Sequence, residues 1–229
     1  MNTALIPVPK LEEDCYDWHQ RHEAILALKR TLQPEIVLIG DSITHFWGGP
    51  PTGLEPRGPE SWDQTFGGRR VLNLGFGWDR TQNMLWRLEN GEFEGLQPKL
   101  VIILAGTNNT SETVNARANS PAEIAEGVVA LCRRVREMSP ESRLVVMAVF
   151  PRDFQPETPL RRTIAEINRA LEPEVRKIPN ALFLDLSLRF LQPDGTLPAE
   201  LMNDGTHPTE KGYAIWAQGL READVFAGL

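Results

Sequence analysis

Short apolar runs alternate with longer amphipathic stretches along this chain. Five runs rich in β-branched, aliphatic or aromatic residues predict strands, namely Glu35–Ile39, Val71–Asn73, Leu100–Leu104, Leu144–Val149 and Ala181–Leu184. Continuous apolar runs of this length are typical of a parallel sheet that is covered on both faces.

Helical spacing predicts five helices, namely Asp14–Arg30, Asp79–Asn90, Ser120–Met138, Pro159–Val175 and Thr209–Ala227. The third begins Ser-Pro-Ala-Glu, which supplies a cap, a proline in the first turn and a glutamate at the third position. Pro173 is expected to end the regular part of the fourth helix early. The Pro- and Gly-rich stretch Gly48–Gly67 predicts a surface loop.

Alternating strands and helices favour an α/β fold, a three-layer α/β/α sandwich whose five-stranded parallel sheet has a flavodoxin-like strand order. A length of 229 residues suits one domain over 1–229, with an N-terminal helix at 14–30 before the core at 35–229. Ligands bind such sheets outside the carboxyl ends of the strands. We therefore expect the chemistry directly after strands.

Charge and composition exclude several classes of protein. The net charge of −7, without a basic stripe, disfavours nucleic-acid binding. No apolar run approaches the roughly 18 residues of a membrane helix, and the N-terminus lacks the basic start and apolar core of a signal peptide. We expect a cytoplasmic protein in which Cys15 and Cys132 are free thiols, with a disulfide between them as the alternative.

A metal site is not expected, although four histidines are present. His19 and His22 share a helix face, which suggests a metal pair, but a solvated helix side is the preferred interpretation. His45 lies one turn after Ser42, too close to be its base, and is a candidate for lining a pocket. No Cys/His cluster has zinc-ligand spacing, so no metal or organic cofactor is predicted.

Two motifs supply a nucleophile and its activators. Gly40-Asp41-Ser42 follows the first strand, where a turn can present the serine hydroxyl above the sheet edge; a simple helix cap is the alternative. Asp204-Gly205-Thr206-His207-Pro208 precedes the last helix, with an aspartate three residues before a histidine. Serine needs a base, and the base needs a carboxylate that fixes its tautomer, so Ser42, His207 and Asp204 are the predicted catalytic residues.

Two further motifs follow strands and offer hydrogen-bond donors to an oxyanion. They are Gly106-Thr107-Asn108-Asn109 and Asn73-Leu74-Gly75-Phe76-Gly77-Trp78-Asp79. The second lacks the third glycine of a dinucleotide fingerprint, which argues against nucleotide binding. Both motifs are also compatible with ordinary turns.

The four motifs together resemble the blocks of the SGNH (GDSL) hydrolase family, over about residues 35–216. The stretch Thr81–Glu94, with Pro98-Lys99 and Pro151-Arg152, is similar to the catalytic subunits of intracellular platelet-activating factor acetylhydrolase and their bacterial relatives. The resemblance implies Ser42 as nucleophile, His207 as base and Asp204 as its orienting acid. It implies oxyanion donors from the Ser42 amide, a second-block amide and the Asn108 side chain.

The chain departs from the family at Trp78, which stands where the second block has its glycine, so Trp78 and Gly77 both remain candidate donors. Further candidates for the substrate pocket are Asp41, Gly75, Thr107 and Trp47. The resemblance implies a small-molecule ester as substrate, a short and especially acetyl acyl group, and a homodimer. Lysophospholipase or thioesterase activity on longer chains, and a non-catalytic binding module on the same fold, remain alternatives.

Overall fold

The computed structural model describes all 229 residues and contains a five-stranded sheet whose neighbouring strands are all parallel. The strands are β1 (Ile36–Gly40), β2 (Val71–Gly75), β3 (Leu100–Leu104), β4 (Arg143–Met147) and β5 (Ala181–Leu184). Their order, β2-β1-β3-β4-β5, is the flavodoxin-like order predicted from the sequence. The connections change direction between β1 and β3, and the crevice at such a switch point is where these sheets bind ligands.

Helices cover both faces of the sheet, which confirms the predicted three-layer fold. They are α1 (Trp18–Leu32), α2 (Ser42–His45), α3 (Pro59–Phe66), α4 (Thr81–Glu89), α5 (Pro121–Met138), α6 (Pro159–Val175) and α7 (Glu210–Glu222). Because side chains alternate along a strand, each strand contributes to two cores. In β1, Val37 and Ile39 pack with α1, α4, α5 and α6, whereas Ile36 and Leu38 pack with α3 and α7. None of the helices combines the length and the apolar character needed to cross a membrane.

Two helices begin later in the sequence than predicted. The first helix begins at Trp18 rather than Asp14, because the side chain of Asp17 accepts the N–H of Gln20 as an N-cap. The predicted helix from Asp79 begins at Thr81, since the preceding residues form a turn.

Two predictions of secondary structure were wrong. The second half of the predicted loop Gly48–Gly67 forms α3, because Pro59 starts a helix that buries Trp62 and Phe66 against the α7 side of the sheet. Pro173 does not end α6, which continues to Val175. Pro173 faces solvent, where water can satisfy the carbonyl that loses its partner, while buried Val175 holds the last turn on the core.

Candidate active site

Ser42 begins α2 directly after β1, at the carboxyl edge of the sheet. A β-carbon at Gly40 would lie 2.1 Å from the Oγ1 atom of Thr44, so this sharp turn from strand to helix requires glycine. Asp41 caps the turn through Oδ1, which accepts the N–H of Ile43 at 2.9 Å. The turn therefore fixes the Ser42 hydroxyl beside the switch point.

His207 and Asp204 lie in the loop that precedes α7, and the fold brings both to Ser42. The Nε2 atom of His207 lies 2.8 Å from Ser42 Oγ, and its Nδ1 atom lies 2.7 Å from Asp204 Oδ2. The other carboxylate oxygen of Asp204 accepts the backbone N–H groups of Thr206 and His207 at 2.9 and 2.7 Å. The three predicted catalytic side chains thus form one hydrogen-bonded line from carboxylate to imidazole to hydroxyl.

The surroundings of Asp204 favour its ionised form. Partial burial acts to raise its pKa, but the backbone and side-chain hydrogen bonds of His207 outweigh this and hold the pKa below its ordinary value. Arg57 adds a positive charge, with Nη1 3.8 Å from Asp204 Oδ2 and its guanidinium over the ring of Phe46. An ionised carboxylate in this place can fix the His207 tautomer and stabilise an imidazolium.

The loop after β2 presents two backbone N–H groups without protein acceptors, those of Gly77 and Trp78. Trp78 has a φ of +62°, which is rare for a bulky residue, and its side chain is 40% exposed. The carbonyl oxygen of Gly77 accepts a hydrogen bond from the Tyr16 hydroxyl at 3.1 Å. Trp78 lines the pocket at Ser42, whereas Gly77 packs against Asp14.

The two asparagines after β3 have different surroundings. Asn108 is buried beside Ser42 and donates one N–H of its side-chain amide to the carbonyl oxygen of Asp79 at 3.0 Å, which leaves its second N–H free. Asn109 bonds only to the scaffold. Its amide accepts the N–H of Thr81 and donates to Gln82 and Asn119.

A pocket of about 230 Å³ joins these groups, and five predicted site residues line it, namely Ser42, Trp78, Asn108, Asp204 and His207. Six lining residues were not predicted as site residues, namely Asp14, Cys15, Phe46, Arg57, Arg152 and Thr206. Arg152 follows β4, so the strand-end rule offered a signal for it. Asp14 and Cys15 come from the segment before α1, for which the sequence gives no such signal.

Other predicted pocket residues lie elsewhere. Trp47 is fully buried, with its ring centroid 4.4 Å from that of Trp216, so the prediction that it lines the pocket was wrong. Gly75 packs against the backbone of His45, where a β-carbon would lie 2.3 Å from the amide nitrogen. Asp41 and Thr107 are buried behind the pocket. These four residues shape the scaffold of the site rather than its lining.

A buried polar network supports the loop after β2. The carboxylate of Asp79 accepts from Trp18 Nε1 at 2.8 Å and from Arg87 Nε at 2.7 Å, and Arg87 also pairs with Glu92 at 2.6 Å. His22 extends the network, with Nδ1 2.7 Å from Glu92 Oε1. The expectation of a solvated helix side was therefore wrong for His22. No group of three or more His, Cys, Asp or Glu side chains is arranged to hold a metal.

A larger surface cavity, about 720 Å³, lies at the opposite edge of the sheet, beside Glu35, Arg70 and Lys99, which precede β1, β2 and β3. It contains no serine, histidine or cysteine. The smaller pocket at the carboxyl edge is therefore the candidate active site.

Comparison with known proteins concerns the chain as a whole. Residues 38–215 match the GDSL-like Lipase/Acylhydrolase family. Platelet-activating factor acetylhydrolase IB subunit alpha1 from Rattus norvegicus is 34% identical over 203 residues, which cover 89% of this chain and 80% of that protein.

Two solved structures share the fold. A GDSL-like lipase from Bacteroides thetaiotaomicron has a TM-score of 0.70 at 19% identity, with 92% of this chain and 98% of that chain covered. An acetylxylan esterase from Geobacillus stearothermophilus has a TM-score of 0.64 at 22% identity, with 82% and 93% covered.

Proposed function

Because this chain belongs to the GDSL-like lipase/acylhydrolase family and is an ester hydrolase, we propose that it cleaves short-chain esters, acetyl esters above all, through an acyl-enzyme on Ser42. The observation that carries this proposal is the hydrogen-bonded line from Asp204 through His207 to Ser42, at 2.7 and 2.8 Å. A non-catalytic binding module has no need of such a line.

The proposed reaction uses these three side chains in two steps. Ser42 Oγ attacks the ester carbonyl while His207 Nε2 takes its proton, and Asp204 stabilises the imidazolium that forms. His207 then protonates the leaving alcohol as the bond between acyl carbon and alcohol oxygen breaks. Water attacks the acyl-enzyme with His207 as base, which releases the acid and restores Ser42.

Three N–H groups are proposed to hold the oxyanion, namely those of the Ser42 backbone, the Trp78 backbone and the Asn108 side chain. The N–H of Trp78 is favoured over that of Gly77 because of how the peptide bond between the two residues is oriented. The Gly77 carbonyl and the Trp78 N–H belong to one trans peptide and point in opposite directions. Tyr16, which binds this carbonyl, does not line the catalytic pocket, so the opposite side of the peptide, with the Trp78 N–H, is proposed to face Ser42.

A short acyl group fits the size and lining of the pocket. Its volume of about 230 Å³ is below the roughly 300–1,000 Å³ of pockets for drug-sized ligands. Phe46 and Trp78 add bulk, and most other lining side chains are polar or charged, which disfavours a long alkyl chain. The names of the rat acetylhydrolase and the Geobacillus acetylxylan esterase agree with an acetyl group.

The test is the hydrolysis of p-nitrophenyl esters from acetate to palmitate, with Ser42→Ala as the matched control. We expect kcat/KM to fall steeply with chain length and turnover to be lost in the folded Ser42→Ala protein. A preference for long chains would retain the catalytic residues and move the function to a lysophospholipase or thioesterase. Equal activity of the two proteins would refute the proposed role of Ser42. The homodimer implied by the resemblance remains a prediction, which light scattering of the purified protein can test.

A further inference from the structure

Arg152 lines the catalytic pocket without a carboxylate partner. Its Nε donates to the hydroxyl of Thr206 at 3.2 Å, and its Nη1 donates to the hydroxyl of Thr107 at 3.4 Å. Both partners are neutral, and the Nη2 group donates to no protein atom. No carboxylate oxygen lies within 4.0 Å of the guanidinium.

Partial burial removes much of the water around this guanidinium, and no carboxylate or set of carbonyl oxygens takes the place of that water. Arg152 is half-buried, and burial lowers its pKa, although the group remains charged at neutral pH. Asp41, Asp153 and Asp204 act on it only from a distance. A desolvated cation is costly unless an anion pairs with it.

Two buried arginines, Arg87 and Arg21, show the usual solutions. Arg87 makes hydrogen-bonded ion pairs with Asp79 and Glu92. Arg21 also lacks a carboxylate partner, but its three nitrogens all donate to backbone carbonyl oxygens at 2.8 to 3.1 Å. Arg152 has neither a carboxylate partner nor a full set of carbonyl acceptors. Its Nη2 group is free, and the residue lines the catalytic pocket.

We propose that Arg152 is an anion-binding residue of the active site and that the natural ester carries a carboxylate or phosphate on its alcohol part. This inference rests on the proposed function, because it assigns a substrate class to the same site. The anion is placed on the alcohol part because an acetyl group is too small to carry one. The contact with Thr206 agrees, since Thr206 adjoins His207, which protonates the leaving alcohol in the proposed reaction.

Three aryl acetates of similar size test the inference. They are 4-acetoxybenzoate, 4-acetoxyphenyl phosphate and the neutral 4-acetoxybenzamide. The wild-type enzyme is expected to have a kcat/KM at least about tenfold higher for an anionic ester than for the neutral one, as one hydrogen bond to a charged group allows. The two anionic substrates distinguish a carboxylate from a phosphate.

Arg152→Gln is expected to abolish this preference, mainly through KM, because it should lower kcat/KM for the anionic esters far more than for the neutral amide. Arg162→Gln is the matched control, because it removes one positive charge from an exposed position on α6 and should keep the preference. A wild-type ratio near one would overturn the inference. Equal loss of activity on all three esters in Arg152→Gln would also overturn it. Arg152 would then only hold together the loops that contain Thr107 and Thr206.

A binding measurement separates this inference from the proposed reaction. Calorimetry with phenyl phosphate and with benzoate on the folded Ser42→Ala protein requires no turnover. Binding that disappears in the Ser42→Ala/Arg152→Gln protein would support the anion site even if aryl acetates were not hydrolysed. Absence of binding for both anions would refute the site, while hydrolysis of the neutral acetate would leave the proposed function intact.

Discussion

The Tyr16 hydroxyl and the Gly77 carbonyl oxygen are joined by a hydrogen bond of 3.1 Å, across 61 residues of sequence. This bond orients the peptide whose N–H belongs to Trp78. A comparable bond orients Asn108, whose amide donates to the carbonyl of Asp79 at 3.0 Å. Two of the three proposed oxyanion donors are therefore positioned by contacts made behind the pocket.

Tyr16→Phe should lower kcat for p-nitrophenyl acetate by roughly three- to tenfold, with KM little changed. The variant keeps the ring that packs edge-on against His45 and removes only the hydroxyl, so the Gly77–Trp78 peptide loses one hydrogen bond worth about 1 kcal/mol. Burial raises the pKa of Tyr16 above its ordinary value, so the hydroxyl remains a donor across the assay range. Steady-state kinetics with a thermal melt would check this. An unchanged kcat would show that Tyr16 does not position the donor.

Adjacent asparagines offer a matched pair of variants. Asn108→Ala should reduce kcat by about 10²–10³ with little change in KM, as expected for the loss of one oxyanion donor. Asn109→Ala should instead lower the melting temperature, because it removes buried hydrogen bonds to Thr81, Gln82 and Asn119. A raised KM with unchanged kcat in Asn108→Ala would make Asn108 a binding residue instead.

The sequence predicted the fold and the hydrogen-bonded line from Asp204 to Ser42 because both follow from local patterns. Apolar runs marked the strands, and the rule that ligands bind at strand ends brought Ser42 and Asn108 to one edge of the sheet. Trp47 was misplaced because aromatic character alone does not show which way a side chain points in the turn after α2. The contribution of Tyr16 was not predictable, since it depends on how an irregular N-terminal segment folds back over the loop after β2.

Asp41 should make stability depend on pH near neutrality. Burial raises its pKa to about 7, partly offset by the N–H of Ile43 and the charge of Arg152. The ordinary value is 3.8, so between about pH 4 and pH 7 the folded state binds a proton that the unfolded state has released. The free energy of unfolding should therefore decrease as pH rises through this window.

Asp41→Asn keeps an oxygen that can accept the Ile43 N–H and removes the titration. We expect its free energy of unfolding to change less than that of the wild type between pH 5 and pH 8, as measured by urea denaturation. Other groups contribute equally to both proteins, so the difference between the two pH profiles isolates Asp41. Parallel profiles would show that Asp41 does not titrate in this range.

Trp78→Gly separates the backbone role of Trp78 from the role of its side chain. Glycine adopts a φ of +62° without strain and keeps the N–H, so kcat for p-nitrophenyl acetate should remain within a few-fold of wild type. Relief of left-handed strain, about 1–2 kcal/mol, is opposed by the chain entropy of glycine, so the free energy of unfolding should change by less than roughly 1 kcal/mol.

Loss of the indole in Trp78→Gly enlarges the pocket, and kcat/KM for the hexanoate ester should rise relative to that for the acetate ester. An unchanged chain-length profile would show that Trp78 does not limit the acyl group, and a collapse of kcat for acetate would show that the indole itself takes part in catalysis.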